Sequence, residues 1–153
     1  MLLSQPTEPR ARLTWEIDAL ADRYRGLSQA RLRGALPSPV AFTRPAAGTG
    51  GQEPADGSRV SRAGAGHRLA QLLADAAAGV AGRAADVPPA SRPVPIIDLF
   101  ALGEQIAVTG HDLVLELDGL QDRELVWDGD RRVRVATLVA RVTGVLKELR
   151  LAL

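Results

Sequence analysis

Residues 98–119 carry an apolar stripe that constrains the fold more than any other feature of the chain. Its large side chains recur at the three-, four- or seven-residue intervals of an α-helix, and they are Leu99, Leu102, Ile106, Leu113, Leu117 and Leu120. Gly103 and Gly110 lie on the same stripe. Each glycine costs a helix about 1 kcal/mol. Two of them at a packing surface therefore predict that another helix approaches closely there.

A β-hairpin is the competing interpretation of residues 105–117. In that case residues 106–108 and 113–117 form strands on either side of the segment 109–112. Neither strand alternates cleanly between apolar and polar side chains, whereas the helical stripe persists over 22 residues. A helix that begins at the N-cap Asp98 is the favoured interpretation.

The N-terminal segment, residues 1–36, contains a second amphipathic pattern. Its apolar positions follow heptad spacing, and they are Leu13, Ile17, Leu20, Tyr24 and Leu27. The pattern predicts one helix over about residues 10–36. Pro37 and Pro39 end it, because the residue before a proline avoids helical backbone angles.

Residues 37–58 are rich in proline and glycine, and Val40 and Phe42 are their only large apolar side chains. A loop of 22 residues is long for a compact domain. We therefore predict a flexible linker in which residues 40–57 are dispensable for folding, because so few apolar groups cannot offset the entropy of ordering the backbone.

Residues 59–153 are predicted to form a helical core domain. One helix ends near Gly82, residues 98–119 form the next, and a clean amphipathic helix closes the chain. The turn signal at residues 128–129, before that last helix, predicts a short β-ribbon or a loop. Together with the N-terminal helix, this pattern predicts an all-α fold, a small bundle of about four helices.

The composition excludes several classes of protein. The absence of cysteine removes a disulfide scaffold, a thiolate metal site and a cysteine nucleophile. No cofactor fingerprint, metal-ligand spacing, signal peptide or membrane-length apolar run is evident. We therefore expect no catalytic residue, cofactor or metal ion, a cytoplasmic location and no membrane association. Lys147 is the only lysine among 19 basic residues, a bias typical of GC-rich bacterial genomes.

Two apolar faces are candidates for binding a partner. The first is the heptad face of the N-terminal helix. The linker leaves it free to dock on the second apolar face of the helix at 98–119 or to form a homodimer, the slightly favoured outcome. The second is the outer face of the helix at 98–119, opposite its leucine stripe. The predicted partner-binding residues are Leu13, Ile17, Leu20, Tyr24, Leu27, Phe100, Val108 and Leu115.

Glu104 and His111 lie on the same outer face and are candidates to contact a ligand. Among apolar side chains, such a carboxylate and imidazole would titrate near neutral pH. They lie seven residues apart, which is about 10.5 Å along a helix and too far to share a metal ion. Ordinary boundary residues are the favoured interpretation.

The sequence favours a non-enzymatic helical protein that acts through protein–protein interaction, in a regulatory or adaptor role, with a protein partner or a second copy of itself. A DNA-associated regulator is one alternative, and it would use the arginines Arg23, Arg25, Arg31 and Arg33, with a second cluster at Arg131, Arg132 and Arg134. Few aromatic residues and a pI near 8.4 weaken it. A small ligand-binding protein or enzyme with a pocket near Glu104 and His111 is the other alternative.

Overall fold

The computed structural model describes residues 4–38, 40–43 and 59–153. Within them, the α-helices are α1 (Pro9–Arg25), α2 (Gln29–Arg33), α3 (Arg62–Ala81), α4 (Leu102–Leu117) and α5 (Val135–Ala152). Short 3-10 turns cover Ala41–Thr43 and Leu99–Ala101. Strands β1 (Leu125–Asp128) and β2 (Arg131–Arg134) pair as an antiparallel hairpin. The predicted helical fold and the short ribbon before the last helix are therefore confirmed in outline.

Helix α4 packs between α1 and α3. A Cβ atom added to Gly110 would lie 2.5 Å from Cγ2 of Ile17, and one added to Gly103 would lie 2.8 Å from the backbone oxygen of Ala21. Both glycines therefore let α1 approach α4 closely, as their place on the leucine stripe predicts. The contacts run in opposite directions along the two helices, so α1 and α4 are antiparallel. The hairpin interpretation of residues 105–117 is wrong.

The heptad face of α1 is part of the core of its own chain. Leu13, Ile17, Leu20 and Tyr24 are at most 3% exposed, and Leu27 packs against the core from the edge. Helices α4 and α5 pack against this face of α1. These residues therefore pack within their own chain, on the leucine stripe of α4 rather than on its outer face.

The N-terminal helix ends earlier than its periodicity predicts. Helix α1 stops at Gly26, and the hydroxyl of Ser28 caps α2 by accepting a hydrogen bond from the Arg31 amide at 3.3 Å. A serine hydroxyl competes in this way with helix continuation. The break turns the chain back toward the bundle, where Leu32 and Leu36 are buried.

Both ends of the predicted linker are fixed to each other. The Leu36 amide donates to the Val60 carbonyl at 3.0 Å, and the Arg62 amide donates to the Gly34 carbonyl at 2.9 Å. The chain thus leaves and re-enters the bundle at one place, which explains why a long connection does not release α1. Residues 39 and 44–58 of the predicted linker lie outside the described residues, so its flexibility there stays a prediction.

Val40 contradicts the prediction that this segment is dispensable from residue 40 onward. It is 2% exposed and belongs to the core, and Phe42 packs against that core. The Ala41 amide also donates to the carboxylate of Glu148 at 2.9 Å. The sequence did not predict that this segment packs on the core, because two apolar side chains in 22 residues do not form a periodic pattern.

Val40→Ala is expected to lower the free energy of unfolding by about 2 kcal/mol, since it removes buried methyl groups and leaves a cavity. Val87, which is 69% exposed, provides the matched control, and Val87→Ala should change stability by less than about 0.5 kcal/mol. Urea denaturation of both variants measures the difference. Equal, small losses would show that Val40 does not contribute to the core.

The connection between α3 and α4 runs back along α3. The Gln71 side chain accepts from the Val94 amide at 2.7 Å and donates to the Arg92 carbonyl at 2.9 Å, while the Ser91 hydroxyl donates to Asp75 at 2.8 Å. The chain therefore returns toward the start of α3 before α4 begins. Helices α3 and α4 run in the same direction, and two neighbouring parallel helices need a connection that returns along the first of them.

Candidate interaction surface

The outer face of α4 is defined here as Glu104, Val108, His111 and Leu115 of the helix, together with Phe100 of the 3-10 turn before it. This face exposes large apolar side chains to solvent. Phe100 is 64% exposed, Val108 59% and Leu115 70%. Burial of the opposite stripe against α1 and α3 leaves this face outward. Ile96, which is 88% exposed, precedes it in the chain. The structure thus exposes the three predicted partner-binding residues of this helix.

At the edge of this face, Glu104 forms an ion pair with α1 and His111 forms a hydrogen bond with it. Arg25 Nε lies 2.6 Å from Glu104 Oε1, and His111 Nε2 lies 2.8 Å from Asp18 Oδ1. The side chains of Glu104 and His111 are 64% and 49% exposed. They therefore lie in solvent rather than among apolar groups, and neither residue lines the cavity described below. This corrects the predicted ligand pocket.

The Glu104 ion pair responds to pH in a defined direction. The hydrogen bond from the Arg25 guanidinium lowers the pKa of Glu104 below its ordinary value of 4.5. A carboxyl group whose pKa is lowered by folding stabilises the protein above its unfolded-state pKa, and that contribution is lost as the pH falls through the folded-state value. Both side chains are well exposed, so solvent screening keeps the contribution small.

Sequence reasoning missed these two pairs, although a signal for them exists. Glu104 and His111 are seven residues apart on α4, and Asp18 and Arg25 are seven residues apart on α1. On antiparallel helices this spacing aligns a carboxylate with a guanidinium and an imidazole with a carboxylate. Finding it requires knowing that α1 packs on α4, which the long intervening segment conceals.

Carboxylates flank the exposed apolar side chains of α4 on both sides. Asp18, Asp22 and Glu104 lie on the side of α1. At about 100° per residue, Asp112 and Glu116 lie on the other side of Val108 and Leu115. We call these five carboxylates the acidic rim. Among the described residues, Arg25 is the only guanidinium paired within it, although the whole chain carries a net charge of +1.

The predicted arginine cluster does not form one surface. Arg25 pairs with Glu104 and Asp22, and Arg31 donates to the backbone oxygen of Leu153 at 3.3 Å. Arg23 lies on α1, whereas Arg31 and Arg33 lie beyond the break on α2. A phosphate backbone would meet the carboxylates of Asp18 and Asp22 beside Arg25.

In the hairpin cluster, Arg132 has a structural role. Its guanidinium lies 4.4 Å from the ring centroid of Trp127 and donates to the carbonyls of Arg83 and Ala85 at 2.9 and 2.6 Å. The Trp127 indole N–H also donates to Ala85, at 3.2 Å. These contacts hold the hairpin against the end of α3 and leave less of the cluster for a ligand.

A cavity of about 380 Å³ between α3, α5 and the hairpin turn is one concave candidate for ligand binding. Its lining residues are Phe42, Arg68, Gln71, Leu72, Asp75, Ala76, Asp128, Gly129 and Arg141. Arg141 already pairs with both oxygens of Asp128, at 2.7 and 2.6 Å, and Asp75 accepts from Gln71 and Ser91. Because these polar groups already bond to one another, the cavity offers a small ligand fewer free hydrogen-bonding partners than its volume suggests.

Metal sites and membrane-spanning helices are two further classes of functional feature. Residues 4–38, 40–43 and 59–153 contain no group of three or more histidine, aspartate or glutamate side chains arranged to hold a metal ion. No helix among the same residues has both the length and the apolar character to cross a membrane.

No protein-family model matches the chain, and neither a curated protein nor a solved structure matches it. The residues themselves therefore carry the functional inference.

Proposed function

We propose that this protein is a non-enzymatic interaction module that offers the outer face of α4 to a protein partner, in a regulatory or adaptor role in the cytoplasm. The observation that carries the proposal is the exposure of Val108 and Leu115 along α4 and of Phe100 in the 3-10 turn that precedes it. Isolated exposed apolar side chains are ordinary on protein surfaces, but an aligned set of large ones is typical of interaction sites.

The energetics of this face suit a reversible contact. Covering a large apolar side chain contributes about 1.5–3 kcal/mol, and association costs at least about 4 kcal/mol in lost freedom of motion. Three such side chains contribute about 4.5–9 kcal/mol in all, which exceeds only the lower part of the estimated range of that cost, about 4–15 kcal/mol. The proposal is therefore a transient complex, consistent with regulation, rather than a permanent assembly.

A photo-crosslinking residue placed at position 108 or 115 is expected to trap a partner in cells that make the protein. Position 151 is the matched control, because Leu151 is 68% exposed on α5, close to the 70% of Leu115. Crosslinks that form at 108 and 115 but not at 151 support the proposal. Equal yields at all three positions would contradict it.

The double variant Val108→Ser with Leu115→Ser separates binding from folding. Both side chains are exposed, so the free energy of unfolding should change by less than about 1 kcal/mol, about 0.5 kcal/mol for each surface substitution. Crosslinking from position 104, between α1 and the apolar residues, should be lost in this background. Retained crosslinking would show that the apolar side chains do not make the contact.

A further inference from the structure

We infer that the partner which covers the outer face of α4 is a basic amphipathic helix, with an apolar stripe flanked by lysine or arginine. This inference rests on the proposed function and names the chemistry of its partner. Two independent features carry it: the exposed apolar side chains of α4, and the acidic rim on both sides of them.

The acidic rim selects against three other occupants. A second copy placed on the same face by a two-fold axis would bring carboxylate against carboxylate. DNA and an anionic lipid surface are negative and would be repelled in the same way. A basic protein segment instead gains attraction on both sides while its apolar residues cover Val108 and Leu115.

Some carboxylates of the acidic rim remain available to pair with a basic partner. Asp22 and Glu104 are partly neutralised by Arg25, and Asp18 lies 2.8 Å from His111 Nε2. Asp112 and Glu116, on the opposite side, make no ion pair with any residue in the described ranges. We therefore expect the strongest attraction for lysine or arginine on the α3 side of the face.

Geometry favours a helix over an extended peptide. The exposed apolar residues Val108 and Leu115 are one heptad apart, which matches the repeat of a second helix packed along α4. The 16 residues of α4 span about 24 Å. A partner helix of similar length would cover the face.

Selection from a peptide library tests the chemistry of the partner directly. The probe is a displayed library of helical peptides about as long as α4, with a fixed leucine stripe and flanking positions that encode lysine, glutamate or glutamine. The full chain is the bait. Enrichment of lysine at the flanking positions is expected, and enrichment of glutamate or glutamine, or no enrichment, would overturn the inference.

Variants of the rim test whether the selected peptides use it. Asp112→Asn with Glu116→Gln should weaken binding of a selected lysine-rich peptide about tenfold, roughly threefold for each charge removed. Asp86→Asn with Asp130→Asn removes the same charge elsewhere and should leave affinity unchanged. If both pairs of substitutions weaken binding equally, net charge rather than this surface is responsible and the inference fails.

The two proposals fail in different ways. Selection of uncharged peptides whose binding is lost in Val108→Ser with Leu115→Ser would leave the interaction surface intact and overturn only the basic partner. Crosslinks at 108 and 115 to a partner without a basic helix would do the same. Absence of any crosslink specific to the face would overturn the proposed function itself.

Discussion

Glu16→Ala is expected to lower the free energy of unfolding by about 3–5 kcal/mol, a large fraction of the total stability of an ordinary domain. Glu16 is fully buried, and Arg150 of α5 holds it with two hydrogen bonds, at 2.7 and 3.2 Å. The Arg150 guanidinium also lies 5.1 Å from the ring centroid of Trp15. Removing the carboxylate leaves a largely buried guanidinium without its partner, and that unpaired charge is the source of the loss.

A double-mutant cycle separates the pair from its surroundings. Glu16→Leu combined with Arg150→Met should be more stable than either single variant, because replacing both ions with apolar side chains also removes the cost of burying charge. Urea denaturation at neutral pH gives the four free energies of unfolding. Losses that simply add in the double variant would show that the two side chains contribute independently.

Gly79→Ala is expected to cost about 3 kcal/mol or more, above the ordinary range for one added methyl group. A Cβ at this position of α3 would overlap the backbone oxygen of Trp127 in β1. A flexible side chain could move aside, but this oxygen belongs to the strand that packs on α3. The higher helix propensity of alanine, worth about 1 kcal/mol, offsets only part of the cost.

Gly144→Ala is the matched control for Gly79→Ala. Gly144 is also inside a helix, α5, but no heavy atom lies within 4 Å of a Cβ added there. We expect this substitution to raise stability by about 0.5–1 kcal/mol. Thermal unfolding of both variants should give shifts of opposite sign, and shifts of the same sign would contradict the close approach of β1 to α3.

Periodicity predicted the helices well because each has one face buried in the core. The stripe from Leu102 to Leu117 is buried as predicted, and Gly103 and Gly110 admit a neighbouring helix. The local sequence pattern does not show that this neighbouring helix is α1. The ends of the segment 37–58 are joined by two backbone hydrogen bonds, and backbone pairing leaves little trace in residue type.

The candidate surface was predicted only in its apolar part. Helical periodicity placed Phe100, Val108 and Leu115 on one face, and the structure exposes all three side chains. It also placed Glu104 and His111 among apolar groups, which was wrong because α1 supplies a charged partner to each. Tertiary packing decides which of two apolar faces is covered, and helical periodicity treats both alike.

The paired charges between α1 and α4 also determine how the two helices align along their length. A slide of α1 by one heptad in one direction would bring Asp18 opposite Glu104, and a slide in the other would bring Arg25 opposite His111. The first places two anions together, and the second two cations once the imidazole is protonated. Charge therefore opposes the two shifted alignments that a seven-residue apolar repeat would otherwise tolerate, and it leaves this antiparallel pair one favoured register.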